Sequence, residues 1–142
     1  MKHIFLLAAL LVSTASWAQS GSAELDLAQH KIIMQLTSGD TNVHKRVVKQ
    51  IANLLAAAPN SKIELVCHAN GISMLMTQQT KVHPKIAELK TKGVEFIACE
   101  NTMLDKKISK EEIIQESGYV QVGILEIVRK QEQGWSYVRA AQ

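Results

Sequence analysis

The sequence predicts an α/β protein, a three-layer α/β/α sandwich built on a mainly parallel five-stranded sheet. Two observations lead there. Short strand-like runs alternate with helix-like segments along the chain, the pattern of layered α/β folds. The first run, Lys31-Ile32-Ile33-Met34-Gln35-Leu36, is nearly continuous in apolar residues, as expected of a strand covered on both faces.

Each element has its own warrant. Thr37-Ser38-Gly39-Asp40 breaks the first strand, and Asp40 or Thr41 can cap the helix that follows. In that helix Val43, Val47, Val48, Ile51, Leu54 and Leu55 share a face, with Lys45, Arg46, Lys49 and Asn53 opposite. Pro59-Asn60 ends it. Ile63 to Cys67 reads as the second strand, running into His68-Ala69-Asn70-Gly71, and a short helix is expected over Ile72 to Gln79. Pro84 suits the first turn of the next helix, which ends near Lys92 with Gly93 as a left-handed cap. Val94 to Ala98 is the third strand, followed at Cys99 by an expected loop. Ser109-Lys110-Glu111-Glu112 is a capping-box pattern that starts a short helix. Gly118 interrupts before a fourth strand, Tyr119 to Val122. Gly123 to Gln133 reads as the last helix, with Ile124, Ile127 and Val128 as its apolar stripe. Gly134 closes it, and Trp135 to Val138 is the final strand, with Trp135 and Tyr137 expected to pack in the core.

Composition narrows the function classes. The chain has 142 residues with 16 Lys+Arg against 13 Asp+Glu, a net charge of +3, and no clustered basic face of the kind that binds nucleic acid. Lys2-His3, the uncharged apolar run Ile4 to Val12 and Ser16-Trp17-Ala18 read as a signal peptide over 1–18, with cleavage before Gln19. The run is too short for a membrane span, which takes about 20 apolar residues. A periplasmic protein is therefore expected, with 19–29 as a flexible lead-in and 30–142 as a single domain.

The chemistry-bearing residues lie at strand ends, where open α/β sheets gather ligands and reacting groups. Cys99 ends the third strand. The amide of Asn101, the hydroxyl of Thr102 and nearby backbone N–H groups can hydrogen-bond its thiolate. Lys106, Lys107 and Lys110 add positive potential, whereas Glu100 opposes a second negative charge. Cys67 ends the second strand, so a Cys67–Cys99 disulfide is an open alternative in an oxidising compartment, if the two Cα atoms come within about 7 Å. His68 is either a turn residue or an acid/base partner for a neighbouring thiol. Asn70 and Gly71 shape a turn that can line a pocket. His44 and His83 look like helix-start or surface residues. No metal-ligand spacing, Gly-rich phosphate loop or Ser-His-Asp ordering is present, so no metal or organic cofactor is expected.

The strand-end Cys99-Glu100-Asn101-Thr102, the His68-Ala69-Asn70-Gly71 turn and the closing Gln131-Glu132-Gln133-Gly134-Trp135-Ser136-Tyr137-Val138 together resemble the DsrE/DsrF-like sulfur-relay family, most closely its small exported members. The resemblance runs from about His30 to Arg139. It implies a five-stranded parallel-type sheet, homo-oligomers that are trimers or hexamers, and sulfur donor and acceptor proteins as partners. It also implies that Cys99 carries sulfane sulfur as a persulfide. Cys67 departs from the family pattern, standing where small apolar residues are commoner. The alternative is a non-catalytic oligomeric binding or assembly module with structural cysteines. A pocket that takes a ligand with no covalent step is a third reading.

Overall fold

The computed structural model describes residues 24–140; the expected signal peptide over 1–18 and the start of the expected lead-in lie outside them. Five strands, β1 (Lys31–Leu36), β2 (Lys62–Cys67), β3 (Glu95–Cys99), β4 (Ser117–Val120) and β5 (Ser136–Arg139), form one sheet in the order β4-β3-β2-β1-β5. Every pairing is parallel. The connecting helices are α1 (Thr41–Ala57), α2 (His83–Thr91), α3 (Glu100–Lys106) and α4 (Gly123–Glu132), with 3-10 turns at Ala69–Leu75 and Lys110–Glu112.

Strand order dictates the layers. From β1 to β4 each step moves one strand in the same direction, and right-handed crossovers put the intervening segments on one face. The β4-to-β5 connection travels back across the sheet, so α4 lands on the other. The alternation of side chains along each strand sorts the core accordingly. Met34, Leu36, Leu65, Cys67, Phe96 and Ala98 pack with Val47, Ile51, Ile86 and Leu89 of α1 and α2. Ile33, Val66 and Ile97 meet Ile127 of α4.

Local chemistry fixes the element ends. The Asp40 side chain accepts the Asn42 N–H at 2.8 Å and caps α1. Gly93 and Gly134 take φ of 88° and 82° where α2 and α4 give way to strands. Ser109 and Glu112 form the capping box, on a 3-10 turn. The part of the lead-in that is described is anchored: the Asp26 N–H donates to the Ala57 carbonyl and the Asn60 amide to the Leu27 carbonyl, each at 2.8 Å.

Several expectations are corrected. β3 runs straight into α3 with Cys99 as the N-cap, so no loop separates them. β4 begins two residues early and runs through Gly118, where a Cβ would come 2.9 Å from Ile97 Cδ1; the glycine makes room for Ile97 and does not break the strand. The 3-10 turn covers Ala69–Leu75, three residues before the expected helix. His44 stands at a helix start, as one expectation had it, but is buried rather than on the surface, its Nε2 2.8 Å from the Ser38 carbonyl oxygen.

On α4, Gly123, Ile127 and Lys130 turn to the sheet, while Ile124 and Val128 of the expected core stripe are 51% and 43% exposed. The cause lies at both ends of the helix. Gly123 touches the sheet closely, and Lys130 reaches the buried Glu64 carboxylate at 2.5 Å. Trp135 packs beside Ile127 with Lys130 over its ring, and Tyr137 is largely exposed on the edge strand instead of in the core.

Candidate functional site

The connections leaving β3 and β4 part to opposite faces of the sheet, Met103 of α3 joining the α1/α2 core and Ile127 of α4 the other. Parallel sheets open a crevice at such a switch point, beyond the carboxyl ends of the strands. Cys99 ends β3 in that crevice, in register with Val120 of β4.

Its sulfur meets the start of α4. The Gly123 N–H donates to Cys99 Sγ at 3.3 Å, and Sγ lies 3.9 Å from the Gln121 carbonyl oxygen. Gly123 permits this approach because it has no side chain: a Cβ there would sit 3.0 Å from Val66 Cγ1 and 3.3 Å from Cys99 Cβ. On the other side the chain turns at once into α3. The Asn101 N–H donates to the Gln121 carbonyl at 3.0 Å and ties the two crevice walls together.

Burial pushes the Cys99 thiol up. The N–H of Gly123, the N–H and hydroxyl of Thr102 and the N–H of Asn101 outweigh it and bring the pKa below the ordinary thiol value. The positive N-terminal ends of two helices act in the same sense. Glu100, the carboxylate that opposes this, is paired with Lys110 at 2.8 Å. Thr102 has a second task, since its Oγ1 accepts the Ala69 N–H at 3.1 Å and so joins the turn after β2 to α3.

The two cysteines are free, and the register keeps them apart. Cys67 pairs with Ala98, not with Cys99, so it faces the α1/α2 core while Cys99 faces the α4 side. The expected disulfide alternative is thereby corrected: alternation along β3 turns its last residue to the opposite face. Cys67 is fully buried, and burial alone raises its pKa far beyond the working range of a thiol. It is a packing residue.

His68 turns away from the thiol. Its Nε2 is 2.7 Å from Gln35 Nε2, on β1, the strand across β2 from β3. Tyr137 OH donates to Gln35 Oε1 at 2.5 Å, so the Gln35 amide N–H is the donor to an unprotonated His68 Nε2. Burial lowers the His68 pKa and favours that neutral ring. Asn70 Oδ1 accepts from Lys106 Nζ at 2.9 Å. Gly71 has no room for a Cβ, which would fall 2.3 Å from the Leu36 carbonyl oxygen.

Of the residues singled out in the sequence, Cys99, Asn101 and Thr102 come together. Asn70 and Gly71 shape the neighbouring turn, and His68 belongs to a separate polar chain. Gly123 and Gln121 were missed as site residues. The signal for Gly123 was a glycine at a helix start just after a strand, which sequence alone reads as a turn. Cys99 retains only 5% of its surface, so this strand-end thiol is nearly covered. Asn101 and Gln121, beside the sulfur, also line a cavity of about 460 Å³ with Met103, Leu104 and Ile108. Among the described residues no group of three His, Cys, Asp or Glu side chains converges on a common point.

The fold defines a small parallel α/β protein with one amide-cradled thiol at its switch point. The model of the DsrE/DsrF-like family matches residues 30–140, and the chain belongs to that family. The solved structure of a protein of unknown function, MTH1491 from Methanobacterium thermoautotrophicum, is similar at 25% identity and a TM-score of 0.73, covering 78% of this chain and 98% of that one. The ychN protein from E. coli shares the fold at 13% identity and a TM-score of 0.62, covering 79% of this chain and 99% of that one. Comparison with curated proteins gave no match. No helix among the described residues is long and apolar enough to cross a membrane.

Proposed function

We propose that the protein is a carrier of sulfane sulfur, with Cys99 as the carrying residue. The observation that supports this best is the thiol at the β3/β4 switch point, drawn below its ordinary pKa by the amides of Gly123, Thr102 and Asn101. The Cys99 thiolate attacks the outer sulfur of a donor persulfide R–S–SH. The donor S–S bond breaks, R–S⁻ leaves with the bonding pair, and Cys99–S–SH remains. An acceptor thiolate repeats the exchange on the outer sulfur and returns Cys99 as thiolate, so no oxidant or reductant is consumed. His68 serves to hold the β2 turn in place and is not needed as a base, because the amides already favour the thiolate.

Export belongs to the same proposal. The leader read over 1–18 supports a periplasmic protein, where donor and acceptor would be exported proteins. Association supports it too: Ile124, Leu125 and Val128 form an exposed apolar patch on α4, the kind of surface a further copy covers in a homo-oligomer.

Mass spectrometry after incubation with a persulfide donor tests the carrier. One added sulfur, about 32 Da, is expected on Cys99 and none on Cys67. No adduct on native protein, with full Cys99 reactivity once denatured, would instead establish the second reading, a non-catalytic binding or assembly module. The 5% exposure of Cys99 is the observation that favours that reading.

A further inference from the structure

We propose that the cavity beside Asn70 is a binding site for a small organic anion, a carboxylate or sulfonate on a short apolar body. This site does not include Cys99, and the proposal stands independently of the carrier reading. The cavity measures about 470 Å³, within the range of small-molecule pockets, roughly 300–1,000 Å³. It lies beyond the carboxyl ends of β1 and β2, between Gly39, the 3-10 turn and the end of α3.

Its walls are of two kinds. Ile108, partly exposed, supplies most of the apolar surface, and Ile72 and Met76, buried in the fold, contribute little exposed area. Lys106 and Lys107, successive in the chain, supply the positive charge. Among the described residues neither lysine is in an ion pair: Lys106 Nζ donates to the neutral Asn70 amide, whereas Lys85, Lys90, Lys92, Lys110 and Lys130 all face carboxylates. The one carboxylate on the wall, Glu112, is engaged by the Ser109 N–H at 2.8 Å as part of the capping box. The charge balance of the lining is therefore positive. An anion here gains attraction without displacing a salt bridge, and its apolar body covers surface otherwise left to water.

The backbone keeps this geometry. Lys107, in the lining, takes its φ of 56° as the left-handed cap that ends α3, and Ala69, at φ 49°, precedes Asn70 in the turn after β2; the two turns set where Asn70 and Lys107 stand. Gly39 keeps the wall open, since a Cβ there would come 3.3 Å from Asn70 Cβ and 3.6 Å from Ser73 Oγ.

Titration of the isotopically labelled protein by NMR, with hexanesulfonate as the probe, tests the site. Saturable amide shifts centred on Asn70, Ser73 and Lys107 are expected. 1-Hexanol, which lacks the charge, and inorganic sulfate, which lacks the apolar body, should each bind at least about tenfold more weakly. The double variant Lys106→Gln/Lys107→Gln should weaken hexanesulfonate about tenfold while its spectrum remains that of the folded protein. Shifts that centre on the exposed α4 residues, affinity unchanged by the double variant, or equal binding of hexanol would each overturn the proposal.

Discussion

Replacing Gly123 with alanine should weaken the Cys99 thiolate without touching the cysteine. The added Cβ would stand 3.0 Å from Val66 Cγ1, 3.3 Å from Cys99 Cβ and 3.6 Å from Sγ, so the first turn of α4 must retreat by a few tenths of an ångström. The Gly123 N–H then lengthens from its 3.3 Å contact with the sulfur. A hydrogen bond to a charged group contributes about 1.5–3 kcal/mol. Losing part of it, about 1 kcal/mol, lowers the thiolate fraction below the midpoint about fivefold. The more basic thiolate is intrinsically about twofold more nucleophilic, given the Brønsted slope for thiol exchange. The rate toward a disulfide reagent at a pH below the midpoint should therefore fall only about two- to threefold, while the titration midpoint moves clearly upward. Ultraviolet thiolate absorbance against pH, in a Cys67→Ala background, measures the midpoint. A midpoint that stays put or moves down in Gly123→Ala would refute the claim that this amide sets the thiol's acidity.

Other outcomes follow from the same geometry. A thiol whose folded pKa is depressed adds stability that is complete above the unfolded value, about 8.5, and disappears as pH falls through the folded midpoint. The stability difference between wild type and Cys99→Ser should thus widen as pH rises from neutral toward 8.5, and a flat difference in urea melts would contradict it. Gly71→Ala puts a methyl 2.3 Å from the Leu36 carbonyl oxygen, a backbone atom that cannot swing aside, and should cost at least about 1–3 kcal/mol in chemical denaturation. Lys130→Met strands the buried Glu64 carboxylate and should cost about 3 kcal/mol, most of it recovered by adding Glu64→Gln. A double-mutant cycle showing strict additivity would exclude that pairing as the source.

Where periodicity was strong, the fold was legible. β1 and α1 lie where their apolar patterns place them, because burial on a sheet leaves a clear 3.6-residue stripe and an unbroken strand. α3 was not legible: Glu100-Asn101-Thr102-Met103-Leu104-Asp105-Lys106 buries Met103 alone and owes its position to its neighbours. β4 was misplaced because Gly118 looks like punctuation until Ile97 is seen filling its space. α4 has a genuine apolar stripe, but two contacts invisible in sequence, Gly123 at the sulfur and Lys130 at Glu64, rotate a different set of residues inward. The site divides the same way. Cys99, Asn101 and Thr102 are local in sequence and could be read together. The amide that completes the cradle arrives from 24 residues away.

The opposed placement of the two thiols determines how this molecule meets an oxidant. An internal cystine would require prising one strand out of its register, so the chain has no way of sealing itself. Any disulfide must recruit an outside sulfur, and it will fall on the acidic member of the pair while its counterpart stays inert beneath α1 and α2. Mixed-disulfide formation and the proposed sulfur transfer would therefore meet at the same atom, and a low-molecular-weight thiol able to reach it would undo the disulfide without unfolding the chain.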